Sequence, residues 1–280
     1  MHERSETTHN GDDDAHGCRP RASVFDPDTP STARMYDYFL GGKDNYAADR
    51  LAAERVIALQ PAARTAAQAN RRFLLRAVET LARAGVRQFV DVGAGIPTRP
   101  NVHEVVQAIV PDARIAYVDN DPVVLAHSRA LRATAPGVIA VEGDLRRPDA
   151  IWEDPQLERH IDVDQPVGLL FVAVMHFVRR EDDPAALIDR WTKHLAPGSH
   201  FALSVGTSAG YTADEVRQIE DAYRNASSPL ALHPPEEVAR WFTGYELLDP
   251  GLVSIFKWRA DEPEPPRLSA LAGVGRLSER

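Results

Sequence analysis

The chain has 280 residues, 44% hydrophobic and 26% charged, with a formal net charge of -9. That length supports one large α/β domain or one domain with an appended piece, and the acidic balance argues against nucleic acid as the main partner. One cysteine, Cys18, excludes an internal disulfide and a cysteine-type structural zinc site; no apolar run approaches the roughly 20 residues that span a bilayer; and the polar start lacks a secretory signal, so a reducing cytoplasm and no membrane partner are expected.

Residues 1–29 read as a polar, disordered tail. Its His2, His9 and His16, beside Asp12, Asp13 and Asp14, are expected to be solvated and not to hold a metal. Residues 30–87 read as an N-terminal helical cap. Ser31 is placed to cap a helix over Thr32–Leu40, which Gly41-Gly42 ends. A second helix is expected from about 45 to 59, stopped by Pro61. A third, over 63–84, gathers Phe73, Leu74, Ala77, Val78 and Leu81 on one face, with Gly85 as its C′ residue.

Residues 88–280 change pattern. Short apolar strands at Gln88–Val92, Arg114–Asp119, Val138–Glu142, 167–172 and 200–205 alternate with helices at 101–110, 122–133, 149–160 and 184–195. That alternation predicts a parallel sheet covered on both faces. Helices at 213–225 and 235–242 follow, and strands at 247–256 and 269–276 are expected to close the sheet as an antiparallel hairpin. The predicted fold is α/β: a Rossmann-like, seven-stranded, mostly parallel sheet with helices on both faces and an N-terminal helical cap.

In such a sheet, ligands bind at the carboxyl ends of the strands. The first strand runs into Gly93-Ala94-Gly95, where glycine lets the backbone turn sharply and approach a ligand. A dinucleotide loop calls for a third glycine at 98, but Thr98 stands there. Pro97 and Pro100 delay the next helix, whose start reads as a capping box of Asn101 and Glu104. A phosphate-free cofactor fits this loop better than NAD. Asp119, at the second strand end, is placed to accept ribose hydroxyls with Asn120 beside it, while Asp121 suits an N-cap before Pro122. Asp144, with Leu145, ends the third strand where an adenine amine could be accepted. Together these strand ends describe an adenosine site.

These motifs resemble the cofactor motifs of class I S-adenosylmethionine-dependent methyltransferases. The run from Ser31 to Tyr46, the Gly95-Ile96-Pro97-Thr98 and Asn101-Val102-His103-Glu104 segments, Tyr117 to Pro122, Pro250-Gly251-Leu252-Val253 with Trp258-Arg259, and Gly273-Val274-Gly275-Arg276 resemble a bacterial family of S-adenosyl methyltransferases once catalogued as a domain of unknown function. The resemblance covers roughly 28–277. It implies S-adenosyl-L-methionine as cofactor and S-adenosyl-L-homocysteine as product. It implies Gly93, Ala94 and Gly95 at the amino acid part, Asp119 and Asn120 at the ribose, and Asp144 and Leu145 at the adenine. Ala173 is a further expected contact, and Lys43, Asn45 and Tyr46 would cover the cofactor from the N-terminal side.

Methyl transfer mainly needs positioning and exclusion of water, with a base only if the acceptor must lose a proton. After the fourth strand the chain reads Val172-Ala173-Val174-Met175-His176-Phe177. The Asn-Pro-Pro-Tyr motif common in enzymes acting on DNA or peptide amides is absent. His176 is the candidate general base; its alternative is a structural histidine. Met175, Phe177, Tyr211, Trp241 and Trp258 are candidate pocket residues, and His103 reads as a helix-start residue. The expected activity is O- or N-methylation of a small molecule, with a homodimer allowed. The competing readings are a non-catalytic S-adenosylmethionine sensor and an NAD-dependent dehydrogenase.

Overall fold

The computed structural model describes residues 26–132 and 135–278. The expectations for the tail through residue 25, including its histidines, aspartates and Cys18, and for the helix end at 133 lie outside the described residues.

The elements are α1 Thr32–Leu40, α2 Ala47–Leu59, α3 Ala63–Arg83, β1 Gln88–Val92, α4 Val102–Gln107, β2 Arg114–Asp119, α5 Pro122–Arg132, β3 Val138–Glu142, α6 Pro148–Trp152 and α7 Pro155–His160. They continue with β4 Gly168–Val172, α8 Pro184–Thr192, β5 His200–Gly206, α9 Ala213–Ala222, α10 Pro235–Arg240, β6 Tyr245–Leu247, β7 Val253–Ser254 and β8 Ala270–Leu277. The strand order is β3-β2-β1-β4-β5-β8-β6, with β7 also on β8. β1 to β5 pair in parallel, and β8 runs antiparallel to β5, β6 and β7. The order reverses between β1 and β4, so their carboxyl ends open a crevice.

The strands alternate between two cores with the period of two that pleating requires. Phe89, Ile115 and Tyr117 pack with α3 and α4 on one face. Val90, Ala116 and Val118 pack with α6, α7 and α8 on the other. A third core, built on Met35, Phe39, Ala53 and Val56, joins α1 and α2 to α3 and Tyr223. α3 therefore belongs to both the cap and the sheet, which seats the cap over the strand ends. Its own end is well defined: Val86 donates to the Leu81 carbonyl at 3.0 Å and Gly85 to Ala82 at 3.1 Å, with Gly85 at φ +95°.

Several boundaries differ from expectation. The helix expected over 149–160 is two short helices, because Asp154 accepts the Gln156 and Leu157 amides and starts α7 at Pro155. The strand expected over 247–256 is broken into β6 and β7 by the Asp249-Pro250-Gly251 turn, in which Gly251 donates to the Leu248 carbonyl and has φ +90°. The sheet accordingly has eight strands. No described helix is long and apolar enough to cross a membrane.

Candidate functional site

The first strand's loop is built by its neighbours. Gly93 and Ala94 both donate to the Val118 carbonyl, at 2.8 and 3.2 Å. Gly93 has φ +71°, and a Cβ there would lie 2.4 Å from Val174 Cγ2, so only glycine fits this turn. Gly95 donates to Asp119 Oδ2 at 2.9 Å, and Asp121 donates to Asp119 Oδ1 at 2.9 Å. Burial raises the Asp119 carboxyl to about 6, against backbone amides that lower it. A carboxylate has about four lone-pair sites. Asp119 thus braces both loops and retains capacity toward the cavity it lines.

That cavity opens at the strand ends beneath α1, α2 and α3. Gly93, Ala94, Gly95, Asp119 and Asn120 line it, as do Asp144, Leu145, Ala173 and His176. The Trp191 indole fixes Leu145 by donating to its carbonyl at 2.8 Å, and Trp191 is itself wedged against Trp152 and Phe171. Asp144 accepts a forked pair from Arg146, including Nη2 to Oδ2 at 2.6 Å, and the Arg146 amide at 3.0 Å. An adenine amine at Asp144 would have to compete with Arg146. Ala173 takes φ +57°, held there because its amide donates to the Ser204 carbonyl and hydroxyl at 3.1 and 3.0 Å. The Ser204 hydroxyl donates in turn to Asn70 on α3.

Lys43, Asn45 and Tyr46 do not line the cavity. Their segment is a self-contained turn. The Asp37 carboxylate accepts the Asp44 amide at 3.0 Å and Asn45 Nδ2 at 2.8 Å, and a Cβ at Gly42 would fall on that carboxylate. Lys43 is exposed, and Tyr46 caps α2 in a capping box with Asp49, so the helix begins at Ala47, two residues later than expected. The residues of the same signature that line the cavity lie earlier: Ser31, Thr32, Ala33, Tyr36 and Phe39. Ser31 does not cap α1 through its side chain, because its hydroxyl donates to Asp121 across the cavity mouth. Thr32 donates to the Ser227 hydroxyl at 3.1 Å, and Ser227 to the Pro30 carbonyl at 2.8 Å. Asp121 is also a cap for α5, accepting the Val123 amide at 2.8 Å.

Asp91 and Arg71 are among the lining residues with no role in the sequence reading. Asp91 is a lone acid in the buried strand QFVDV, and its carboxylate takes no hydrogen bond among the described residues. Burial raises it to about 7, with Arg71 pulling it down and Asp119 pushing it up. Arg71, on α3, donates to the Thr98 and Pro100 carbonyls, the latter at 2.5 Å, while its buried Nε has no partner among the described residues. A carboxylate and a guanidinium with unfilled capacity face the same cavity, which suits the charged amino acid end of a cofactor. The acid alone in an apolar strand was a usable signal for Asp91. Nothing local marks Arg71, because α3 reaches the loop only through the fold.

His176 lines the cavity, and its two ring nitrogens are not equivalent there. The Gly206 amide donates to Nδ1 at 3.3 Å, which leaves the proton of the neutral ring on Nε2. Burial, with His233 nearby, lowers it to about 4. Phe177 lines the cavity, whereas Met175 is core. Tyr211, Trp241 and Trp258 lie outside it. Trp258 packs edge-on against Phe73, Trp241 against His233, and the Tyr211 hydroxyl donates to the Arg267 carbonyl. His103 is buried at the start of α4, its Nδ1 2.9 Å from the Tyr117 hydroxyl.

A parallel sheet that reverses at β1/β4, a glycine loop without a phosphate-type third glycine, and acids at successive strand ends define a nucleoside-cofactor enzyme of the Rossmann-like class. The family model for S-adenosyl methyltransferases matches residues 19–278, and the chain belongs to that family. It is similar to a candidate methyltransferase from Thermobifida fusca YX at 36% identity, covering 90% of this chain and 96% of that one with a TM-score of 0.83. It is also similar to a DUF574 family protein from Streptomyces avermitilis MA-4680 at 38% identity, covering 89% and 98% with a TM-score of 0.83. No curated protein matches the chain. The chain is an S-adenosylmethionine-dependent methyltransferase, which replaces the dehydrogenase alternative.

Proposed function

We propose that the chain methylates an oxygen or nitrogen of a small molecule held in the same cavity as S-adenosylmethionine. One observation carries this reading: Tyr36, Phe39 and Val56 of the cap roof the strand ends, so the acceptor is received within the chain's own walls. Such an enclosure suits a small molecule better than a polymer.

In this reading Gly93, Ala94 and Gly95 meet the amino acid part of the cofactor, Arg71 Nε its carboxylate and Asp91 its ammonium. Asp119 and Asn120 meet the ribose, and Leu145 with Asp144 the adenine. The bound cofactor supplies a methyl group on a positively charged sulfur. The chain's own part is to orient both partners and keep water away, the main contributions available to a transfer of this kind. The Ala173–Ser204–Asn70 chain of hydrogen bonds makes the floor beside β4 rigid for that purpose.

Isothermal titration with S-adenosylmethionine, S-adenosylhomocysteine and NAD, followed by a transfer assay over phenols, amines and ring nitrogens, tests it. Transfer to a member of the panel supports the reading. Turnover only on a protein or nucleic acid contradicts it, and cofactor binding with no turnover on any acceptor points to the sensor.

A further inference from the structure

The cavity lining is not uniform. Its formal charges, Arg71, Asp91, Asp119, Asp121, Asp144 and Arg146, all lie on α3 or in or just after β1, β2 and β3. Toward β4 and β5 the lining carries none. There the walls are Phe177 after β4, Leu232 beside Gly206, Phe39 and Val56 from the cap, and Tyr223 after α9. The Phe177 and Tyr223 rings stand 6.0 Å apart. Burial pushes the Tyr223 phenol far up and the Tyr36 phenol up to about 12, so neither contributes charge. Ser204, Thr207 and Gln60 also line this half but are engaged with Asn70, Ser269 and Tyr211. His176 stands beside them, its ring 4.5 Å from that of Phe177. Nδ1 is engaged by the Gly206 amide, which leaves the proton on Nε2, and no partner for Nε2 stands among the described residues.

We infer that this uncharged half takes an uncharged, largely apolar acceptor that accepts a hydrogen bond from Nε2–H of His176. The inference rests on the function proposed for the cavity. A charged acceptor would lose its hydration here and find no opposing charge. An apolar one is drawn in by the burial of its surface, and one donor is enough to fix its orientation. His176 is then a group that holds the acceptor by donating, not one that takes its proton.

The test uses the full chain saturated with S-adenosylhomocysteine, with binding of 2-naphthol, naphthalene and 2-naphthoate followed by fluorescence at pH 7. Saturable binding of 2-naphthol at least about tenfold tighter than 2-naphthoate is expected, because the carboxylate has no partner. His176→Phe should weaken 2-naphthol about fivefold, the worth of one neutral hydrogen bond, and leave naphthalene unchanged. His176→Gln, which keeps a donor, should restore much of the loss. Equal or tighter binding of 2-naphthoate, no saturable binding of 2-naphthol, or equal loss of 2-naphthol and naphthalene in His176→Phe overturns the inference. Binding of S-adenosylhomocysteine is measured first and separately, so failure of the cofactor reading is distinguished from failure of this one.

Discussion

The Asp119 carboxylate accepts the Gly95 amide at 2.9 Å, so the acid that ends β2 also holds the loop that ends β1. In the function proposed above, ribose binding and loop shape are joined in this one side chain. Asp119→Ala should weaken S-adenosylhomocysteine by about 1–3 kcal/mol, the cost of losing charged hydrogen bonds. Titration calorimetry checks this, and an affinity within twofold of wild type would remove Asp119 from the site.

Arg71 and the cofactor carboxylate can be tested by subtraction. Arg71→Met should lower affinity for S-adenosylhomocysteine by about tenfold or more, while leaving 5′-methylthioadenosine, which lacks the amino acid part, unchanged. Equal losses for the two ligands would mean that Arg71 only shapes the loop through its bonds to Thr98 and Pro100.

Asp91 gives a pH signature. Burial raises its folded value to about 7, above the roughly 4 of an unfolded chain. The folded chain therefore holds an extra proton between those limits, and the stability this confers is lost as pH rises through about 7. Asp91→Asn should stabilise the ligand-free chain by about 1–3 kcal/mol at pH 8 relative to pH 5, read from denaturant unfolding. With Asp91 meeting the cofactor ammonium, as proposed, binding favours the ionised carboxylate, so wild-type affinity should rise from pH 6 to 7.5 with proton release, and that dependence should vanish in the variant.

The mouth of the cavity is crossed by Ser31 to Asp121 and by Thr32 to Ser227. Ser31→Ala should speed release of S-adenosylhomocysteine about twofold to tenfold in stopped-flow measurements, with little change in unfolding temperature. Lys43→Ala, outside the cavity, should leave affinity within twofold.

The contrast between those two positions shows what the sequence could and could not reveal. The strand ends were legible because strand, turn and helix cap are local, and the Asn101–Glu104 capping box stands where it was expected. The dense polar end of the Ser31–Tyr46 signature is a turn built around Asp37, while its first residues line the cavity. Local pattern marks a segment as special without saying which end faces the ligand. Arg71 and Asn70 were invisible for the same reason, since only the packing of α3 against both cores brings them to the strand ends. The hydrogen bond that sets the His176 tautomer comes from β5, a neighbour in the sheet and not in the chain.

A crystal structure of the full chain with S-adenosylhomocysteine tests the central claim most directly. The ligand should lie at the ends of β1, β2 and β3 with its ribose hydroxyls at Asp119 and its carboxylate at Arg71, leaving the space between Phe177, His176 and Tyr223 open for the acceptor. A ligand whose amino acid part fills that space, or one bound away from Gly93–Gly95, would contradict it.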